Sequence, residues 1–245
     1  MTKLSVNVNK IALLRNQRNS GIPSVAQAAT TCIRAGAAGI TVHPRPDERH
    51  ITKQDVHDLA ALLRDHKDVE YNIEGNPFQG HYMELVTTVA PTQATLVPDD
   101  PGQRTSDHGW NIGRDGHRLK PIIEKLREQG TRVSVFMDPD PEQIAQVPVS
   151  GADRIELYTE AYAKAYRSGS ANAEVDRYRK AADTAGQLGL GLNAGHDLNL
   201  KNLGPFCHRV PGILEVSIGH ELIADALWLG LEQAVSVYGQ VLAKC

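Results

Sequence analysis

Short β-branched runs alternate with longer helical patterns along the whole chain, and this alternation constrains the fold more than any other feature. The strand candidates are Leu4–Asn9, Gly39–Pro44, Glu70–Gly75, Gln93–Pro98, Arg132–Asp138, Arg154–Thr159, Gly191–His196 and Leu214–His220. Helical stretches lie between them. Ser24 to Gly36 opens on a capping residue and closes on glycine. Thr52 to Asp55 has the form of a capping box, followed by Val56, Leu59, Ala60, Leu62 and Leu63 at helical spacing. Leu119 to Gln129 and Glu174 to Leu188 read the same way. Eight strands, each followed by a helix, in 245 residues predict an α/β chain folded as a single-domain (β/α)8 TIM barrel over residues 1–245. A doubly wound sheet is the competitor. It usually carries a glycine-rich first turn, whereas the first strand here runs into Asn9-Lys10-Ile11.

Charge and apolar patterning narrow the function classes. Twenty-six basic against 29 acidic residues give a net charge of −3, with no basic excess to recruit nucleic acid or an anionic membrane. No apolar run approaches the ~18 residues of a membrane span. Leu222 to Leu231, interrupted by Asp225, reads as a core helix. Met1 to Asn7 lacks the apolar core of a secretory leader. Cys32, Cys207 and Cys245 have neither a paired nor a metal-type spacing, so reduced thiols in a cytosolic protein are expected.

Chemistry in such a barrel sits at the C-terminal strand ends. Those ends carry Asn7, Asn9 and Lys10; His43 with Arg45 and His50 beyond it; Asn72 and Glu74; Glu156; Asn193 and His196; and Ser217, Gly219 and His220. A lone histidine at a strand end is commonly structural. Three on one rim (His43, His196, His220), with two glutamates, point to function. Glu156, flanked by Ile155 and Leu157, is costly to bury unpaired; its structural alternative is an ion pair with Arg154. No HxH or HExxH spacing supports a metal site. Phosphate fits better: the loops after strands seven and eight, at Gly195-His196 and Gly219-His220, stand where such barrels cradle it, and Gly219-His220 leads into the final helix. Arg15, Arg18 and Arg45 are further candidate anion holders. Val97 to Ser106 is too rich in turn residues for regular structure and reads as a long loop suited to close the mouth.

The blocks Asn7-Val8-Asn9-Lys10 through Arg18, Gly39 to Arg45, Arg49 to Thr52, Asn72-Ile73-Glu74, Leu96-Val97-Pro98, Ile155 to Thr159, Leu192 to His196 and Ile218-Gly219-His220 resemble, in order, the pyridoxine 5′-phosphate synthase family. The resemblance implies a ring-forming condensation of 3-amino-2-oxopropyl phosphate with 1-deoxy-D-xylulose 5-phosphate. It further implies a cytoplasmic homo-oligomer, an octamer built as a tetramer of dimers, with no metal and no organic cofactor. By motif, His43 and Glu74 correspond to proton acceptors, His196 to the proton donor and Glu156 to a transition-state stabiliser. Asn7, Asp197, Gly219 and His220 fall at the amino-ketone phosphate. Asn9, Lys10, Arg45, His50 and Thr105 fall at the deoxyxylulose phosphate, and Arg18 at the substrate site. The chain departs from the common pattern by carrying Asn9-Lys10 for an acid and an imidazole, and Asp197 for a glycine. It is also about two residues longer between His50 and Glu74. Two rivals stand beside this reading: another phosphosugar aldolase or epimerase on the same barrel, and a non-catalytic phosphosugar-binding barrel.

Overall fold

A computed structural model describes residues 1–245. Eight parallel strands close into a barrel in sequence order. In chain order the elements are β1 (Lys3–Asn7), α1 (Asn9–Arg15), α2 (Val25–Arg34), β2 (Gly39–Val42), α3 (Lys53–Leu63), β3 (Glu70–Gly75), α4 (Tyr82–Val89), β4 (Gln93–Leu96), α5 (Ile112–Glu128), β5 (Arg132–Met137), α6 (Pro141–Ile144), β6 (Arg154–Tyr158), α7 (Glu160–Arg167), α8 (Ala171–Gln187), β7 (Gly191–His196), α9 (Leu203–Arg209), β8 (Ile213–Ile218), α10 (His220–Leu229) and α11 (Leu231–Leu242). The expected barrel is therefore the observed one.

Side-chain parity explains why these strands sit as they do. Leu4, Val6, Ile40, Val42, Ile73, Leu96, Val133, Val135, Ile155, Leu157, Val216 and Ile218 are buried in the apolar core. They occupy alternate positions, and alternate positions of a strand share a face, so this set forms the outer surface of the barrel, packed beneath the helices. The intervening positions face the barrel axis and are largely polar: Ser5 and Thr41 hydrogen-bond at 2.7 Å, and the Thr95 hydroxyl donates to Asn72 at 3.0 Å. Barrel interiors are usually filled with branched aliphatic side chains. Here the interior is built from hydrogen-bonding groups, which lets carboxylates occupy the same inward row higher up.

Local signals set the helix starts. Ser24 accepts from the Gln27 backbone N–H and caps α2, and Thr52 and Asp55 form a full capping box on α3. Asn111 caps α5, which begins well before the expected Leu119 because Gly113 and Gly116 interrupt the apolar pattern without breaking the helix. Arg15 proves to be a strut: it forms a two-pronged ion pair with Asp55 and donates to the His50 carbonyl. It is not an anion holder at the mouth.

Several expected boundaries shift. Asn9 and Lys10 lie in the first turn of α1, not in β1; β2, β4, β5 and β6 stop one or two residues early; and β8 ends at Ile218, with His220 already opening α10. Two helices, not one, follow β8. The expected core helix at Leu222 to Leu231 is also corrected. Leu222 alone is fully buried in α10, while Leu227, Trp228 and Leu229 are exposed at 72%, 86% and 44%. Apolar composition there reflects a surface of the chain, not its interior.

Candidate active site

The C-terminal mouth opens into a cavity of about 310 Å³. Of the residues singled out from the sequence, His43, Glu74, His196, Glu156, Asn7, Asn9, Lys10, Arg45, His50, Thr105, Asp197, Gly219 and His220 all line it. Arg18 does not; it is exposed in the connection between α1 and α2. Sequence reasoning missed Arg104 and Ser106, which the loop after β4 carries into the cavity, and Asp99 at its start. The Asp-Arg-Ser content of that loop was visible, but its fold-back was not.

Glu156 points inward from β6, in register with Asn193 of β7 and Phe136 of β5. It is 3% exposed, and its Oε2 has no hydrogen-bond partner. The alternative pairing with Arg154 does not occur: Arg154 shares the inward face but lies one layer lower, at the start of β6, where its guanidinium donates to Asn193 at 3.1 Å. Burial drives the Glu156 carboxyl well above the usual carboxylate range, and the nearby Glu74 and Glu215 charges add to the effect. Burial thus favours the protonated form of Glu156. Glycine is required opposite it: a Cβ on Gly195 would stand 2.6 Å from Glu156 Oε1 and 2.7 Å from the Ser217 carbonyl.

His196 closes β7 with a φ of 93°, a conformation rare for a residue with a side chain and typical of functional sites. The turn swings its ring across the mouth. Asp197 Oδ2 lies 2.7 Å from Nδ1, and the Thr105 hydroxyl lies 2.7 Å from Nε2. Burial opposes protonation of this imidazole, but the Asp197 hydrogen bond and charge outweigh it and raise its pKa, with Glu74 helping. His196 therefore holds a proton more readily than an isolated histidine.

Across the cavity, His43 sits between two carboxylates, with Glu74 3.6 Å from Nδ1 and Asp99 3.6 Å from Nε2. Asn9 fixes this strand end, since its side-chain oxygen accepts from the His43 backbone N–H at 2.9 Å. Asn7 in turn donates to Glu74 at 3.4 Å and accepts from the Asn9 backbone N–H at 3.0 Å.

The cations are graded. Burial, reinforced by His43, Arg45, Lys10 and Arg49, pushes His50 down to about 3, so it is neutral. Its Nδ1 accepts from the Ile51 N–H at 2.9 Å, which leaves Nε2–H as the donor. Lys10 is lowered by burial first, then by Arg45 and Arg104. Arg45 is 5% exposed and is tied to Asp99 at 2.6 Å and to the Gln103 carbonyl at 3.1 Å. Arg49 donates to the same carbonyl at 2.9 Å and to Pro101 at 3.0 Å. The two arginines thus hold the loop after β4 over the mouth. At the loop's far end the Trp110 indole donates to the Leu96 carbonyl at 2.8 Å, and Gly109 packs so closely on Met137 and Asp138 that no Cβ fits.

A closed parallel barrel, a roofed polar cavity at its C-terminal mouth and acid–base groups from four strand ends define a (β/α)8-barrel enzyme. The chain matches the family described as "Pyridoxal phosphate biosynthesis protein PdxJ" over residues 4–244, and it belongs to that family. A pyridoxine 5′-phosphate synthase from Albidiferax ferrireducens is 53% identical over 248 residues, covering 99% of this chain and 98% of the relative. One from Flavobacterium johnsoniae is 51% identical over 238 residues, covering 97% and 98%. Among solved structures, the fold is shared with a thiamine phosphate pyrophosphorylase from Pyrococcus furiosus (TM-score 0.65, 10% identity, 99% and 96% covered). It is shared also with a 3-keto-L-gulonate-6-phosphate decarboxylase from Vibrio cholerae (TM-score 0.63, 10% identity, 98% and 97% covered). No helix is long and apolar enough to cross a membrane.

Proposed function

We propose that this chain is a pyridoxine 5′-phosphate synthase whose mouth cavity condenses 3-amino-2-oxopropyl phosphate with 1-deoxy-D-xylulose 5-phosphate to give pyridoxine 5′-phosphate, phosphate and water. The observation that carries the proposal is the convergence of His43, Glu74, Glu156 and His196 on one cavity. A phosphate-binding sensor has no use for two glutamates in such a place.

The reaction joins an amine to a ketone, loses water and phosphate, and closes a ring, so protons must be moved repeatedly within one enclosed space. His43 and Glu74 are the proton acceptors. His196, whose protonated form Asp197 favours, is the donor, and Thr105 aims its Nε2. Glu156, unpartnered and biased by burial toward its protonated form, presents a carboxylic O–H to a developing negative charge. Lys10, Arg45, Arg104 and the Nε2–H of His50 hold the deoxyxylulose phosphate and its hydroxyls. The first turn of α10, with Gly219 and His220, and the neighbouring Asn7 and Asp197 receive the amino-ketone phosphate. Arg18, away from this cavity within one chain, belongs to the substrate site only if a second copy presents it. This fits the proposed homo-octamer, a tetramer of dimers. The proposed setting is the cytoplasm, where the three free thiols stay reduced.

The test is direct. Purified protein mixed with both substrates is expected to yield pyridoxine 5′-phosphate, identified by absorbance and mass, together with one released phosphate per turnover. Absence of product with intact fold and both substrates bound would overturn the proposal.

A further inference from the structure

Asp99 stands three residues beyond β4, at the root of the loop that roofs the cavity, and is 4% exposed. One of its oxygens is heavily used. Oδ2 accepts from Arg45 Nη2 at 2.6 Å and from the Ser106 hydroxyl at 2.9 Å, and it lies 3.6 Å from His43 Nε2. The other, Oδ1, is buried with no partner. The groups around His43 are Glu74 from β3, Asp99 and Arg45, and His50, whose ring centroid is 6.5 Å away. Arg45 already gives its protons to Asp99 and to the Gln103 carbonyl. His43 Nε2 faces Oδ2, the oxygen that Arg45 and Ser106 hold in place, so a proton on Nε2 would bring that oxygen a third donor.

We propose that Asp99 is a positioning residue of the reaction: its carboxylate holds the His43 imidazole with the proton on Nε2, leaving the Nδ1 lone pair beside Glu74 as the proton acceptor. Of the two carboxylates flanking the ring, Glu74 is the more exposed, at 12% of its side chain against 4%, and already takes the Asn7 amide. Asp99 is the more desolvated, and Arg45 and Ser106 pin its Oδ2, so it offers the Nε2–H an acceptor of fixed position. Neighbouring hydrogen bonds commonly fix which imidazole nitrogen is basic. Through Ser106, next to Thr105, the same carboxylate also joins the His43 side of the cavity to the loop residue that meets His196. One carboxylate thereby aligns the acceptor and steadies the loop that aligns the donor.

The inference rests on His43 acting as an acid–base group, and the test separates the two claims. In wild-type protein with 15N-labelled histidine, the His43 resonance, identified by its loss in His43→Gln, is expected to report the neutral ring protonated on Nε2. A neutral ring protonated on Nδ1 would overturn the positioning role, whatever the activity of the variant. In Asp99→Asn, kcat is expected to fall about 10- to 100-fold with a smaller change in KM, as when a partner that orients a histidine is lost. Asp99→Glu should recover part of that loss. A defect confined to KM, or no recovery with glutamate, would reduce Asp99 to a strut for Arg45 and overturn the proposal. Full turnover in His43→Gln would instead strike the acid–base reading of His43 itself.

Discussion

The two ends of the barrel interior use the same residue types for opposite purposes. At the N-terminal end, Glu70 pairs with Arg132 and with Lys3 Nζ at 2.9 Å. Arg132 donates to Gln93 at 2.9 Å, Arg154 to Asn193 at 3.1 Å, and Asn193 to Glu215 at 3.4 Å. Every charge there has a neighbour that answers it. At the C-terminal end, Glu156 and Asp99 each keep a buried oxygen without a partner, and His196 is bent into a conformation that side chains rarely adopt. Buried charges that are matched hold a structure together, and those left unmatched cost stability that persists where chemistry needs it. The unpartnered atoms on the floor are neutral ones, such as the Gln93 amide nitrogen and the Ser134 hydroxyl, whereas at the mouth they are carboxyl oxygens placed to meet substrate.

That contrast is broken most severely by removing a proton-moving group. His43→Ala, Glu74→Gln and His196→Ala are each expected to cut turnover by roughly 10²-fold or more while the fold persists, measured as kcat with circular dichroism alongside. Near wild-type kcat in Glu74→Gln would remove Glu74 from the chemistry. Asp197→Asn comes next, at about 10-fold in kcat. Asp197 raises the pKa of His196, so its loss lowers the pH above which the donor is deprotonated. The basic limb of kcat/KM should move to lower pH, and an unmoved limb would show that Asp197 does not charge His196. Lys10→Arg is milder still, at a few-fold, because the positive charge survives although the geometry changes. The substrate brings its own amine, so borohydride with the deoxyxylulose phosphate should leave the protein mass unchanged. An adduct mapped to Lys10 would make the lysine a covalent catalyst.

Much of this was legible from local pattern. The β3 and β7 boundaries, the Thr52–Asp55 capping box and the ring of polar strand ends all followed from residue type and spacing. Missed features were those set by long-range contact. Arg15 faces Asp55 across 40 residues, and nothing near it in the chain announces that partner. Thr105 meets His196 across 91 residues. Asp99 looks like turn composition until Arg45, Ser106 and His43 are folded against it. The exposed Leu227-Trp228-Leu229 misled for a related reason: composition records how apolar a helix is, not whether anything covers it. The inward polar row could have been read from the alternation in Leu4-Ser5-Val6-Asn7 and Ile40-Thr41-Val42-His43, where every second residue is polar in a strand buried on both faces.

The smallest expected effect on activity lies on the floor. Burial, with the Glu70 charge in support, pushes Glu215 up to about 7, while Arg132, Arg154 and Lys3 pull the other way. Its ordinary value is 4.5. A carboxyl with a raised pKa keeps its proton in the folded chain at pH values where the unfolded chain has lost it. Its contribution to stability is complete below 4.5 and is lost as pH rises through about 7. Stability should therefore decline across that window by about 3 kcal/mol, the free-energy equivalent of that shift, in which the basic neighbours are already included. Glu215→Gln cannot ionise and still offers Asn193 a carbonyl, so its urea midpoint should stay flatter over the same range and exceed wild type at the upper end. Activity should hardly change, since Glu215 does not line the mouth cavity. Parallel stability curves for the two proteins would show that Glu215 is charged in the fold at neutral pH, and that the floor is a fully ionised network instead of one that holds a buried proton.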